Sequence, residues 1–370
     1  MRRIAGVSLL AASLLATPAR AHAAALGSGA ADSSAADSTR SGLEHTAAEA
    51  RTDSLAGAPQ PDSARTGVPA RWQLREIAAL AGDDARPLVE PSGVLSDAFG
   101  HVWVSDASLH KLRRWRPDGT PLDETGALGS EPTQFRRPGA LARVGSLGVA
   151  VLDVENRRVS TYDHHLRLIG AAVELASQEL EARIGLVRPV ALASDRGGAL
   201  YVADAERDRV LVFDYSGAFQ RELGGYGGRS GGFAGLAGIA TGARGTLYTV
   251  ERPRPASRRA AATDSSQARS RVQWLDAGGR VLGSWWTPPW AAGPAEASLS
   301  IAVDGAGRLA VVAERSGELR VFSPDGNLLA SAGGLAGPRA VAFADDGTLL
   351  VAEAGAGRVR RWTLEPAGAR

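Results

Sequence analysis

The residues able to do chemistry are few. There is no cysteine, which excludes disulfides, thiol nucleophiles, Cys-ligated zinc and a lipoprotein anchor. Six histidines occur, and four lie beyond the first seventy residues: His101, His110, His164 and His165. None stands in an HxH or HExxH spacing, and no GxSxG or phosphate-binding glycine loop is present. This inventory names no catalytic residue, no metal ligand and no cofactor, and it favours a binding protein over an enzyme.

Other groups have the chemistry of recognition. Asp106, Asp153, Asp204, Glu251 and Glu353 recur at one place in a repeated unit, and Ala313 breaks the series. They read either as a rim for a cation or ligand, or as caps on their own loops. In the second reading they pair with the basic residue five positions on, as Asp106 with Lys111, Asp153 with Arg158 and Asp204 with Arg209. A residue present in nearly every copy serves the copy, so the structural reading leads. Residues that depart from the repeat are better ligand candidates. Trp285, Trp286 and Trp290 cluster with prolines and offer rigid flat faces for a sugar ring or a Pro-rich peptide, or else pack over a seam. Arg137, Arg188 and Arg339 flank the opening position of the unit and suit an anion-binding rim, or are simply solvated. A long excursion from Arg252 to Ser270 carries Arg252, Arg254, Arg258, Arg259 and Arg269 against Asp264 alone. It suits an anionic partner or surface, or is a solvated loop.

The elements that must position these groups are set by internal repetition. A sixteen-residue unit recurs without gaps from Pro91, Pro138, Pro189, Leu236, Ser298 and Pro338. Its fourth residue is Val94, Leu141, Leu192, Ile239, Ile301 or Val341, and its twelfth and fourteenth alternate in period two, which marks strands. The Gly- and Asp-rich centre marks a hairpin. A third strand follows each unit, as in Arg209 to Phe213, then a turn and a fourth strand such as Phe219 to Leu223. Six copies of four antiparallel strands predict an all-β, six-bladed β-propeller rather than a β-sandwich. The last copy lacks its fourth strand, and Trp72 to Ile77 resembles the missing one, so the N-terminal strand is expected to complete the last blade and close the ring. The fifth residue of the unit is alanine in five copies, which lets inner strands crowd near the axis.

Composition sets the setting. Of 370 residues 44% are hydrophobic, and Lys+Arg 42 against Asp+Glu 40 leaves a net charge of +2, too balanced for a dedicated nucleic-acid binder. Arg2-Arg3, the apolar run Ile4 to Leu15 and the small residues around Ala21 to Ala23 make the pattern of a signal peptide over residues 1–23. Residues 24–70 are rich in Ala, Ser and Asp and hold no aromatic residue, as a disordered spacer does. The propeller is then expected over 71–370, exported to the periplasm or the outside of the cell. It would be monomeric, with no membrane span after cleavage of the leader.

Val202-Ala203-Asp204 followed by Val210-Leu211-Val212-Phe213-Asp214, and the links Gly126-Ala127-Leu128-Gly129-Ser130 to Pro138 and Gly224 to Phe233, resemble the NHL-repeat family of propellers. The resemblance covers Trp72 to about Pro366. It implies a protein-interaction module, an RNA binder, a sensor domain or, less often, a lyase or lactonase. Lactonase-like propellers gather Glu, Asn and Asp at the channel mouth, whereas Asn stands here only at 156 and 327. Propeller lyases similar to this family place His near the channel, and none is suitably placed here. The expected function is recognition of a protein, peptide or glycan in the cell envelope through loops on one face. The alternative is a lyase or hydrolase, with or without a metal, acting at the channel mouth.

Overall fold

The computed structural model describes residues 72–82, 86–254, 267–296 and 298–367. The leader and spacer expected over 1–70, and Arg258, Arg259 and Asp264 of the blade-four excursion, lie outside the described residues. Six four-stranded antiparallel sheets form the molecule, each with its strands in chain order except the last. There Trp72–Ala81 pairs with Arg358–Pro366, from Trp72 opposite Pro366 to Ala81 opposite Arg358. The ring is a six-bladed propeller closed by its N-terminal strand, as the repeat predicts. The closing strand extends beyond Ile77 because Leu80, after a bulge between Glu76 and Ala78, is buried with Val102 and Trp115 of blade one.

The turns follow from their residues. Asp97, Asp195 and Asp304 each accept the amides two and four positions on, closing the hairpin between strands one and two. Gly198 completes the Asp195 turn at φ +85°, a conformation that suits glycine.

No blade has a core of its own. The buried apolar residues fall into six clusters, one at each junction between neighbouring blades. Between blades six and one, for example, Ala340, Leu350, Ala352 and Val359 meet Val94, Val102, Val104 and Trp115. Each sheet therefore needs both neighbours to hide its faces, which is why closure matters. Crowding near the axis is stricter than the fifth position alone suggests. The third position is also small in all six copies: Gly93, Ala140, Ala191, Gly238, Ser300 and Ala340. A Cβ on Gly93 would lie 2.2 Å from the Gly139 carbonyl of the next blade.

One helix, Gln178–Ile184, was not expected. It lies between blades two and three, capped by Ser177 and ended at Gly185. Its buried Leu180 and Ile184 join the cluster between those blades. No helix among the described residues is long and apolar enough to cross a membrane.

Candidate functional site

Strand alternation sorts the loops. The loops between strands two and three, and the links between blades, open on one face, here called the front. The hairpins between strands one and two, and three and four, open on the back.

The repeated carboxylates build the front face. Asp106, Asp153, Asp204, Glu251 and Glu353 are fully buried. Each accepts a backbone amide from the link entering its own blade: Val89 and Glu90, Arg136, Arg188, Ala234 and Ala336 respectively. Beside them, each blade carries a buried arginine on strand three that reaches the link, Arg113, Arg158, Arg209, Arg271, Arg320 or Arg360, while Arg114, also buried in blade one, pairs with Asp123 on strand four. Three stand at the first residue of the strand and three at the third, which places them on the same side of a pleated strand. Each donates to carbonyls of the incoming link; Arg271 reaches Gly228, Arg229 and Gly232, and Arg320 reaches Pro288 and Pro289. Carboxylate, guanidinium and link backbone thus form a clasp that fixes each link to its blade.

Two of the expected pairs form: Asp153 with Arg158 at 3.2 Å and Asp204 with Arg209 at 2.9 Å. The third does not. Asp106 is taken up by the amides of Val89, Glu90 and Leu109, and Lys111 pairs with Glu124 on strand four instead. In blade five, where Ala313 interrupts the series, buried Glu296 from the link accepts the amides of Arg315 and Ser316. Burial pushes the Asp153 and Glu251 carboxyls up, against the opposing pull of their hydrogen-bond and guanidinium partners.

The fourth residue of every copy, Val94, Leu141, Leu192, Ile239, Ile301 or Val341, forms an apolar girdle shared by two cavities. A cavity opens from this girdle on each side. The front cavity, of about 380 Å³, is lined by Glu90, Arg137, Arg252 and Arg339 together with Ser298 and Ser300. Arg188 lies outside it; it pairs with Glu206 at 3.5 Å and donates to the Ala205 carbonyl. Arg137 meets Glu90 at 2.7 Å and Glu155 at 3.7 Å, and Arg339 meets Glu314 at 3.0 Å and Glu90 at 3.9 Å. Burial would push the Glu90 carboxyl up, but the Ser108 hydroxyl and the guanidinium groups of Arg137 and Arg339 outweigh it and hold it below its ordinary value. Arg252 has no ion pair among the described residues, and its Nε is buried without a partner. The expected anion rim is therefore largely neutralised, with Arg252 as its exception.

Sequence reasoning missed Glu90 and Glu314. Glu90 occupies the position before the unit, where the next two copies carry Arg137 and Arg188. Arg252 and Glu314 occupy the position after the repeated carboxylate, where the other copies have Ala107, Val154, Ala205 and Ala354. Charge at a position otherwise small and apolar is the signal that would have found Glu314, and a carboxylate where the next two copies carry arginine is the signal for Glu90.

The tryptophans separate. Trp290 is 1% exposed, donates to the Ser270 hydroxyl at 3.0 Å and lies under the Arg320 guanidinium at 4.1 Å, so it presents no face to solvent. Half-buried Trp285 packs on Phe322 of blade five, ring centres 4.8 Å apart. Only Trp286 reaches out, 41% exposed, with the Arg254 guanidinium 5.1 Å from its ring centre. Arg254 and Arg269 exchange backbone hydrogen bonds at 3.0 Å and close the base of the blade-four excursion on the front face.

The back cavity is larger, about 760 Å³, and is ringed by the hairpins between strands one and two. Arg143 bonds the Ser96 carbonyl and reaches Asp345 at 3.0 Å across its opening. His101, His164 and His165 also lie on the back, with Phe99 among them. His110 is on the front, where its Nδ1 accepts the Arg137 amide at 3.1 Å. Among the described residues no three His, Asp or Glu side chains gather as a metal site.

Fold and site together define an all-β six-bladed propeller with a charged front mouth and a neutral waist. No family model matches the sequence, and no curated protein matches it. Solved structures do match the fold. Regucalcin from Agrobacterium tumefaciens str. C58, a calcium-binding protein, is 18% identical over 80% of this chain and 96% of its own, with a TM-score of 0.53. Virginiamycin B lyase from Staphylococcus aureus is 13% identical over 79% and 99%, with a TM-score of 0.52. A Bacteroides thetaiotaomicron protein of unknown function is 14% identical over 80% and 76%, with a TM-score of 0.53. At these identities the likeness is one of fold.

Proposed function

We propose that this chain is an exported, NHL-like propeller that binds a protein, peptide or glycan of the cell envelope through its front face. The observation that carries this reading is the exposed Trp286 with Arg254 stacked over it at the base of the excursion. An aromatic ring held flat by a guanidinium has the character of an interface anchor, rigid and partly desolvated. Four of the other links also expose a large apolar side chain: Val89, Leu128, Leu186 and Tyr226. Such a surface binds without chemistry, through loops that the clasps hold still. The test is recovery of partners from an envelope extract on the immobilised chain. Trp286→Ala is expected to lower recovery about ten-fold or more, the loss typical of an anchor residue. Equal recovery by wild type and variant would remove Trp286 from the account.

A second reading is a propeller enzyme working at the front mouth. It is supported by the lyase among the structural neighbours and by the Glu90–Arg137 pair inside a cavity. Turnover that is lost in Glu90→Gln and kept in Trp286→Ala would favour it over passive binding.

A further inference from the structure

The charges that break the repeat converge on the front mouth and leave one of them unanswered. Arg137 and Arg339 are each matched by a carboxylate, and Arg252 is matched by none among the described residues. The stem of Arg252 lies against Gly235, whose open α-carbon leaves room for it; a Cβ there would stand 3.3 to 3.6 Å from three of its carbons. The side chain is thus held at the cavity wall with its Nε shut off from water. The rest of its guanidinium has no ion pair among the described residues, so an anionic oxygen entering the cavity can pair with it. Directly beneath lies the apolar girdle, from Val94 to Val341, which offers no polar partner. The cavity, about 380 Å³, has the size of a small-molecule site.

We propose that the front channel mouth binds a small molecule with one carboxylate and a short apolar tail, the carboxylate on Arg252 and the tail against the girdle. The single charge follows from the ion pairs of Arg137 and Arg339, which leave Arg252 alone in this mouth to answer an anion. The hydroxyls of Ser298 and Ser300 line the same cavity and add donors for the carboxylate. This site goes beyond the partner-binding reading, since it requires neither Trp286 nor Arg254.

The test is calorimetric titration of the full chain with hexanoate as probe, and with hexanol and hexyl phosphate beside it. Hexanoate is expected to bind at one site, and hexanol about ten-fold more weakly, because a hydrogen bond to a charged group is lost. Arg252→Gln is expected to weaken hexanoate about ten-fold or more, Arg252→Lys to restore part of the affinity, and Arg280→Gln, on an exposed back turn, to leave it within about two-fold. Absence of hexanoate binding to the wild type would overturn the proposal, as would equal affinity in Arg252→Gln. Tighter binding of hexyl phosphate than of hexanoate would overturn the choice of a monocarboxylate. The titration contains no macromolecular partner, so its failure leaves the Trp286 reading standing, and an unaffected pull-down leaves this site standing.

Discussion

In the blade clasps every buried arginine meets a carboxylate and at least one link carbonyl, while at the channel mouth Arg252 meets neither. The same side chain is therefore used in two ways within one face. In the clasps it is repeated, paired and sealed, so its removal strands a buried charge. At the mouth it occurs once and is left open, so its removal takes away an interaction that only a ligand completes. Repetition marks what the fold needs, and departure from it marks what the fold can spare for recognition.

Breaking the structural side most severely means removing the closing strand. A chain beginning after Ala81 would leave blade six with three strands and uncover Trp362 and Leu364. Loss of the cooperative unfolding transition, followed by circular dichroism, is the expected outcome. Next in size, Asp204→Ala takes from buried Arg209 its buried carboxylate partner, leaving only the exposed Glu222, and frees the amides of Arg188 and Glu206. A cost of about 3–5 kcal/mol in urea unfolding is expected. Trp290→Ala, which empties the seam between blades four and five, should cost a similar 3–5 kcal/mol or so. Such a loss would assign this tryptophan to packing, where Trp286→Ala changes stability little.

The smallest effect sharpens the comparison through pH. Glu90 has a depressed pKa, so its stabilisation is fully present above the unfolded carboxyl value and is lost as pH falls through the folded one. Glu90→Gln should lower the melting temperature at pH 7, and the gap to wild type should close below about pH 4. Asp153 has the opposite sign: its raised pKa means that the folded state gains relative to the unfolded state as pH falls from the folded value to the unfolded one. As pH falls, the balance between wild type and Asp153→Asn should therefore shift toward wild type, while that between wild type and Glu90→Gln shifts toward the variant.

Much of the fold was legible because period-two alternation and Asp-Gly turns recur in register, and six gap-free copies leave few alternatives. The closing strand was legible from Trp72 to Ile77 by likeness to Phe219 to Leu223, but its extension to Ala81 depends on Leu80 finding a pocket in blade one. The helix Gln178–Ile184 was not legible, since seven residues give too little periodicity to separate it from a loop. The Asp106–Lys111 pairing failed because sequence spacing does not show that three amides already fill the carboxylate. The tryptophan cluster could not be resolved by residue type alone, because burial of Trp290 depends on Ser270 and Arg320, distant in the chain. Glu90 and Glu314 were legible in principle, as charges in columns of the repeat that otherwise hold Arg or small residues.

The most direct test pairs stability with binding in two variants. Urea unfolding and hexanoate affinity are measured for Asp204→Ala and Arg252→Gln, at a temperature where both remain folded. Asp204→Ala is expected to lose stability and keep its affinity, while Arg252→Gln is expected to keep its stability and lose its affinity. If Arg252→Gln unfolds as readily as Asp204→Ala and binds as wild type does, the two arginine environments do the same work and the account is wrong.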